Sequence, residues 1–175
     1  MIQLVKPNIK YKKQYIEMMK EWEATGEKII PYSIRVADYN NFEEMIKSFQ
    51  DQENGIILHK QVPASTFWAY DDEKDIIIGA VNIRHKLNEI LLKNGGHIGD
   101  GVRPSQRRKG YATKMIALAL EECKKLGIFK VLMVCHKDNI ASARSIQKNG
   151  GILENEISAE NGRIYQRYWI DLTNN

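Results

Sequence analysis

Between His97 and Cys135 the chain lays down a strand, a basic turn, a helix and a second strand in immediate succession, and few folds accommodate that order. His97–Arg103 reads as the first strand. The turn is Gln106-Arg107-Arg108-Lys109-Gly110-Tyr111-Ala112-Thr113. Ala112, Met115, Ile116, Ala119, Cys123 and Leu126 then fall on one face of a helix. Gly127 closes that helix as a C-cap residue would. Val131–Cys135 is an unbroken apolar run, as expected of a strand covered on both faces. Two strands joined through a helix form a crossover unit, whose hand and layering are strongly restricted.

The turn itself suits an anion. The first N–H groups of a helix lack intrahelical partners, and the helix dipole favours negative charge there. Gly110 lets the backbone approach a ligand closely. Arg107, Arg108 and Lys109 add cationic donors. The pattern is not a Walker phosphate loop, because no Gly stands five residues before a Gly-Lys-Ser/Thr. It is not a dinucleotide fingerprint either, because Gly-x-Gly-x-x-Gly is absent.

Around this unit the chain reads as one domain over residues 1–175. Ile2–Lys6 alternates as a strand. Tyr11, Tyr15, Met18, Met19 and Trp22 recur at helical spacing, with Asn8 as N-cap and Gly26 as stop. Residues 26–33 read as a loop. Phe42, Met45, Ile46 and Phe49 mark a second helix, with Asn41 and Glu44 resembling a capping box. Ser65–Tyr70 and Asp75–Arg84 read as a hairpin around a charged tip, and Leu87–Lys93 as one or two helical turns. Asp138 or Asn139 caps a helix running to Gly150-Gly151. Ile152–Ile157 and Arg163–Asp171 form a closing hairpin. Net charge is +4, with Lys and Arg spread among carboxylates. No basic stripe suggests nucleic acid. No segment approaches the ~20 apolar residues of a membrane span. The N-terminus lacks a signal-peptide core, so a cytoplasmic location is the default expectation. Cys123 and Cys135 read as buried free thiols.

Arg107-Arg108-Lys109-Gly110-Tyr111-Ala112 resembles the Gln/Arg-x-x-Gly-x-Gly/Ala signature of the GNAT superfamily of acetyl-CoA-dependent N-acetyltransferases. Asn139, Ser142, Lys148 and Gly150 resemble that family's Asn-x-x-Ala/Ser…Glu-Lys-x-Gly helix. The two motifs stand at the family's separation, and the likeness runs from about Ile2 to Ile170. The resemblance implies an α/β (α+β) fold. Its mixed, mostly antiparallel sheet would have six to seven strands with about four helices, around a strand–helix–strand–helix core that binds acetyl-CoA.

The resemblance also implies roles. Backbone N–H groups from Arg107 through Ala112, with Thr113 closing the turn, would cradle the pyrophosphate of coenzyme A. The backbone of Val102 and Arg103 would pair with the pantetheine arm as an added strand. Asn139 would bond the cofactor near its thiol end, with Ser142 beside it. An amine would attack the thioester directly, so neither cysteine has a role and no metal is required. The N–H of Asp100 or Val102 would hold the oxyanion. Many members place a Tyr general acid seven residues after the helix Asn. Here that position is Ile146, and Ser142, Ser145, Tyr165 and Tyr168 are the substitutes at hand. Candidate bases are His97 and Asp100, which alternation puts on opposite strand faces. Arg84, His85 and Asn88 could line the acceptor pocket, as could Glu27, Tyr32 and Ser33. Ser65 and Thr66 read as ordinary strand polar groups. The expected partner is a small-molecule or peptide amine, with no nucleic acid and no membrane, and family members often form homodimers. The rival expectation is a non-catalytic acyl-CoA-binding or sensing module, which the missing Tyr favours.

Overall fold

The computed structural model describes residues 1–57, 61–159 and 161–173. Strand β1 (Ile2–Val5) leads through a 3-10 turn (Ile9–Tyr11) into helix α1 (Lys12–Ala24). Asn8 caps the turn, its side chain accepting from Lys10 N. Short helix α2 (Tyr32–Arg35) and helix α3 (Phe42–Glu53) follow. The hairpin is β2 (Ala64–Asp71) and β3 (Ile76–Arg84), and α4 (Glu89–Asn94) then leads to β4 (Ile98–Val102). A second 3-10 turn (Pro104–Gln106) precedes α5 (Tyr111–Lys125) and β5 (Lys130–His136). Helix α6 (Ile140–Lys148), β6 (Ile152–Ser158) and β7 (Ile164–Asp171) complete the chain.

The architecture is the mixed, antiparallel one expected, with two differences. The strands form two sheets, ordered β1-β2-β3-β4 and β5-β7-β6, rather than one. Six α-helices are present among the described residues where about four were expected. One of the extra helices is α2, which begins inside the expected loop of residues 26–33: its four residues are too few to show a period. Asn41 precedes α3, but its side chain makes no capping bond.

Burial on two faces explains the layering. Tyr15, Met18, Met19 and Trp22 of α1 pack with Phe42, Met45 and Phe49 of α3 against Trp68, Ile77 and Ala80 of the first sheet. Tyr15 stacks on Trp68 at 4.4 Å between ring centroids. The other face meets α5 and α6. There Met115, Ile116, Ala119 and Cys123 pack with Ala143 and Ile146 against residues of both sheets, including Phe67, Val81, Ile98, Val131 and Tyr168. Alternation along the strands sends these two sets to opposite sides.

The two sheets touch at one corner. His97 N donates to Leu132 O at 2.7 Å. Leu132 N donates to His97 Nδ1 at 2.9 Å. The imidazole therefore stands where a strand carbonyl would. Gly96, at φ +67°, permits the approach, since a Cβ there would lie 2.5 Å from Leu132 O. Among the described residues no further backbone bond links β4 to β5, and the strands part beyond this point.

The β3–β4 register decides what the parted strand exposes. Arg84 N donates to His97 O and Arg103 N to Ile78 O, each at 2.8 Å. An antiparallel ladder alternates. The odd-numbered residues of β4 thus turn their backbone groups to β3, and those of Asp100 and Val102 point away, into the gap.

Burial, followed by the neighbouring Arg84 cation, pushes the His97 pKa down to about 4. The unfolded imidazole titrates near ~6.5. Between those values the unfolded chain binds the extra proton, so the stability this group contributes is full above ~6.5 and falls as pH drops toward 4. His97→Ala would leave Leu132 N–H buried without its partner. The expected cost is about 1–3 kcal/mol by urea unfolding. Because Asp100, with its raised pKa, contributes the opposite slope between pH 4 and 6, the variant is expected to lose stability as pH rises through that window, where the wild type is nearly flat.

Candidate functional site

The gap between β4 and β5 opens into a cleft of about 490 Å³. Its floor is Asp100, Gly101 and Val102 of β4. One wall is Gln106, Arg107, Arg108 and the start of α5 at Gly110–Thr113. The opposite wall is Asn139, Ala141, Ser142 and Ser145 around α6. Trp22, Glu27, Lys28 and Ile30 close it from α1 and the following loop.

The turn is built by two left-handed residues, Arg108 at φ 61° and Gly110 at φ 79°. For Arg108 that conformation costs about 1 kcal/mol, a strain of the kind that marks functional turns. Arg107 N–H is already used, donating to Pro104 O at 3.3 Å, so the free donors begin after it. The first helical bond of α5 is Lys114 N to Gly110 O at 3.2 Å. The N–H groups of Tyr111, Ala112 and Thr113 therefore precede it and face outward, a concave anion receptor at the positive end of a four-turn helix. No acidic side chain lies in that first turn.

The expected site residues divide. Val102, Arg107, Arg108, Gly110, Tyr111, Ala112, Thr113, Asn139, Ser142 and Asp100 converge on the cleft. Lys109 does not line it; its Nζ donates to Ser105 O and Gln106 Oε1. Arg103 does not line it: its backbone N–H, expected to pair with the pantetheine arm, donates to Ile78 O of β3, and its side chain bonds Glu21 and Ile77 O. Arg84 Nη1 donates to Gly95 O at 3.0 Å and Gly96 O at 3.1 Å, tying down the bend before β4. His85 Nε2 lies 2.9 Å from Ser65 Oγ, which in turn donates to Glu53, away from the cleft. His97 holds the sheet corner. Ile146 is 1% exposed in the core rather than on the cleft wall.

Asp100 is the titratable group at the floor, and burial raises its pKa to about 6. Burial also pushes the Cys123 thiol up to about 12, and raises that of Cys135. Asn139 Oδ1 accepts from Ser142 N at 3.1 Å, capping α6. Gln106 opens the turn read from the sequence, whereas Trp22, Lys28, Ile30 and Ala141 carry no site signal there. Trp22 reads there as one more apolar position of α1, and it is indeed 1% exposed.

A family model described as an acetyltransferase (GNAT) domain matches residues 3–152. A search of curated protein sequences found no match. Among solved structures, the chain is similar to the microcin C7 self-immunity acetyltransferase MccE in complex with acetyl-CoA and AMP. The TM-score is 0.68 at 18% identity, over 97% of this chain and 92% of that one. It is similar to the ribosomal L7/L12 alpha-N-protein acetyltransferase RimL in complex with coenzyme A, at TM-score 0.69 and 17% identity, over 99% and 96% of the two chains. A chimera of the spermidine N-acetyltransferase SpeG from Vibrio cholerae and hSSAT gives 0.66 at 15% identity, over 99% and 97%. At these identities the likeness is one of fold.

A Cβ on Gly110 would meet no atom within 4 Å, so only its backbone angle calls for glycine. Gly110→Ala is expected to cost about 1 kcal/mol in thermal unfolding and to weaken binding of inorganic pyrophosphate, read by calorimetry.

Proposed function

The chain belongs to the acetyltransferase (GNAT) family, and on that premise we propose that it moves the acetyl group of acetyl-CoA to a primary amine by direct attack in a ternary complex. The observation that carries this reading is the convergence on one cleft of the left-handed turn before α5, the Asn139 cap of α6 and the unpaired edge of β4. The residues present fit the cofactor. The first N–H groups of α5, Arg107 and Arg108 would hold the pyrophosphate. The outward groups of Val102 would pair with the pantetheine amides, and Asn139 and Ser142 would stand near the thiol end. When bound, acetyl-CoA supplies an activated thioester carbonyl.

The protein's own contribution is orientation and proton handling. Asp100 lies on the cleft floor and is deprotonated above about pH 6, which suits it to take a proton from the incoming ammonium, directly or through water. The N–H of Asp100 or Val102, turned away from β3, is placed to donate to an oxyanion. His97 is not assigned as base, because its Nδ1 already accepts from Leu132 N. Arg84 and His85 are assigned no part in the chemistry. For the departing thiolate, Ser142 and Ser145 are the expected substitutes that line the cleft, where Tyr111 and Thr113 also present hydroxyls. Tyr168 is 2% exposed and donates to Gln166, and Tyr165 does not line the cleft.

Ile146, packed in the core, favours the second reading of an acyl-CoA-binding module without turnover. Incubation with acetyl-CoA and a broad panel of amines, following free thiol, decides between them. Thiol release that depends on an amine supports the enzyme. Tight coenzyme A binding without release from any amine supports the module, and no binding at all removes both. For the enzyme, kcat/KM is expected to rise with pH through about 6 and then level, as Asp100 loses its proton. Asp100→Asn should remove that limb and lower the rate by about 10²-fold or more.

A further inference from the structure

Arg107 spans the cleft mouth. Its Nη1 pairs with Glu27 Oε2 at 2.6 Å, on the loop after α1. Its Nε donates to Val102 O at 3.2 Å, the carbonyl that the β4 register turns into the gap. Its guanidinium carbon stands 5.6 Å from the Trp22 ring. The contacts with Glu27 and Val102 compete with contacts that acetyl-CoA would make. A pantetheine amide paired with β4 needs Val102 O as its acceptor, and a pyrophosphate beside α5 needs a guanidinium. The Glu27–Arg107 pair is half exposed on both sides, so its attraction is weak. A multiply charged phosphate offers the same guanidinium stronger, bidentate bonds.

We infer that Glu27 is the carboxylate that receives the acceptor amine, and that Arg107 covers it until the pyrophosphate of the donor draws the guanidinium away. The inference rests on the acetyltransferase reading above. The charges exchange one for one. Arg107 leaves a carboxylate for a phosphate, and Glu27 is left facing a cleft that also holds Asp100. An acceptor that arrives as a cation can then take the place of the guanidinium at Glu27. The acceptor class is accordingly a cationic amine rather than a neutral or anionic one. Donor and acceptor affinities are coupled, each strengthening the other.

Calorimetric titration with coenzyme A at low salt, with spermidine as a polycationic probe amine, tests this. Glu27→Gln removes the competing carboxylate. It should tighten coenzyme A by about two- to five-fold, the range expected for losing a half-exposed ion pair, and the gain should vanish in an Arg107→Ala background. Spermidine should bind the wild-type complex with coenzyme A more tightly than the protein alone, and Glu27→Gln should abolish that difference. Coenzyme A affinity that Glu27→Gln leaves unchanged or weakens overturns the inference, as does spermidine affinity that is absent or independent of Glu27. In either case, intact coenzyme A binding by the wild type preserves the donor assignment. Failure of the wild type to bind coenzyme A would instead remove the reading beneath it.

Discussion

The pairing of His97 with Leu132 sets the terms for the rest of the molecule. Two sheets share one hydrophobic face, under α5 and α6, and could have continued as a single ladder. They do not, because a side-chain nitrogen occupies the position of a strand acceptor at the corner. Past that corner β4 keeps its partner on one side only. An unpaired strand edge inside a folded protein is costly unless something satisfies it. Here that edge is short and glycine-rich, and it floors a cleft whose walls set Arg107, Arg108, Asn139 and Ser142 beside Trp22, Ile30 and Ala141.

The proposed donor site has the character of a receptor made of backbone. Its side-chain cations are partly engaged elsewhere: Lys109 braces its own turn, and Arg107 reaches across to Glu27. What remains fixed is the run of N–H groups at the start of α5, held outward by two left-handed residues. Such donors need no reorganisation to meet an anion. Asp100 lies at the other end of the same floor. A buried carboxyl with a raised pKa is a weaker acid and therefore a better proton acceptor near neutrality than an exposed one.

Much of this was legible in the sequence for a simple reason. α1, α3 and α5 bury one face each, and one-sided burial leaves a period. Gly110 and Asn139 do local jobs, a left-handed angle and an N-cap, that depend on their own residue types. The division into two sheets was not legible, because a histidine in a strand looks the same whether its ring or its backbone completes the ladder. His97, Arg84 and His85 drew attention as chemically capable side chains. Their actual partners are Leu132 N, the Gly95 and Gly96 carbonyls, and Ser65, contacts that only the folded chain brings together. Trp22 escaped notice for the opposite reason. It is a core residue by period and also a cleft wall by position. The Arg107–Glu27 pair joins two loops with no local pattern to connect them.

The two apolar clusters lie on opposite faces of the first sheet, and they divide the molecule's labour. One cluster holds α5, α6 and the second sheet, which frame the donor turn. The other holds α1 and α3, which carry the loop with Glu27, Lys28 and Ile30. Substitutions that reshape the α1–α3 layer repack against Trp68, Ile77 and Ala80, and reach the turn before α5 through Trp22, which faces Arg107, and Glu21, which accepts from Ser105. Over evolutionary time such a chain can remodel the α1–α3 layer widely, provided Glu21, Trp22 and Glu27 keep their contacts with Ser105 and Arg107.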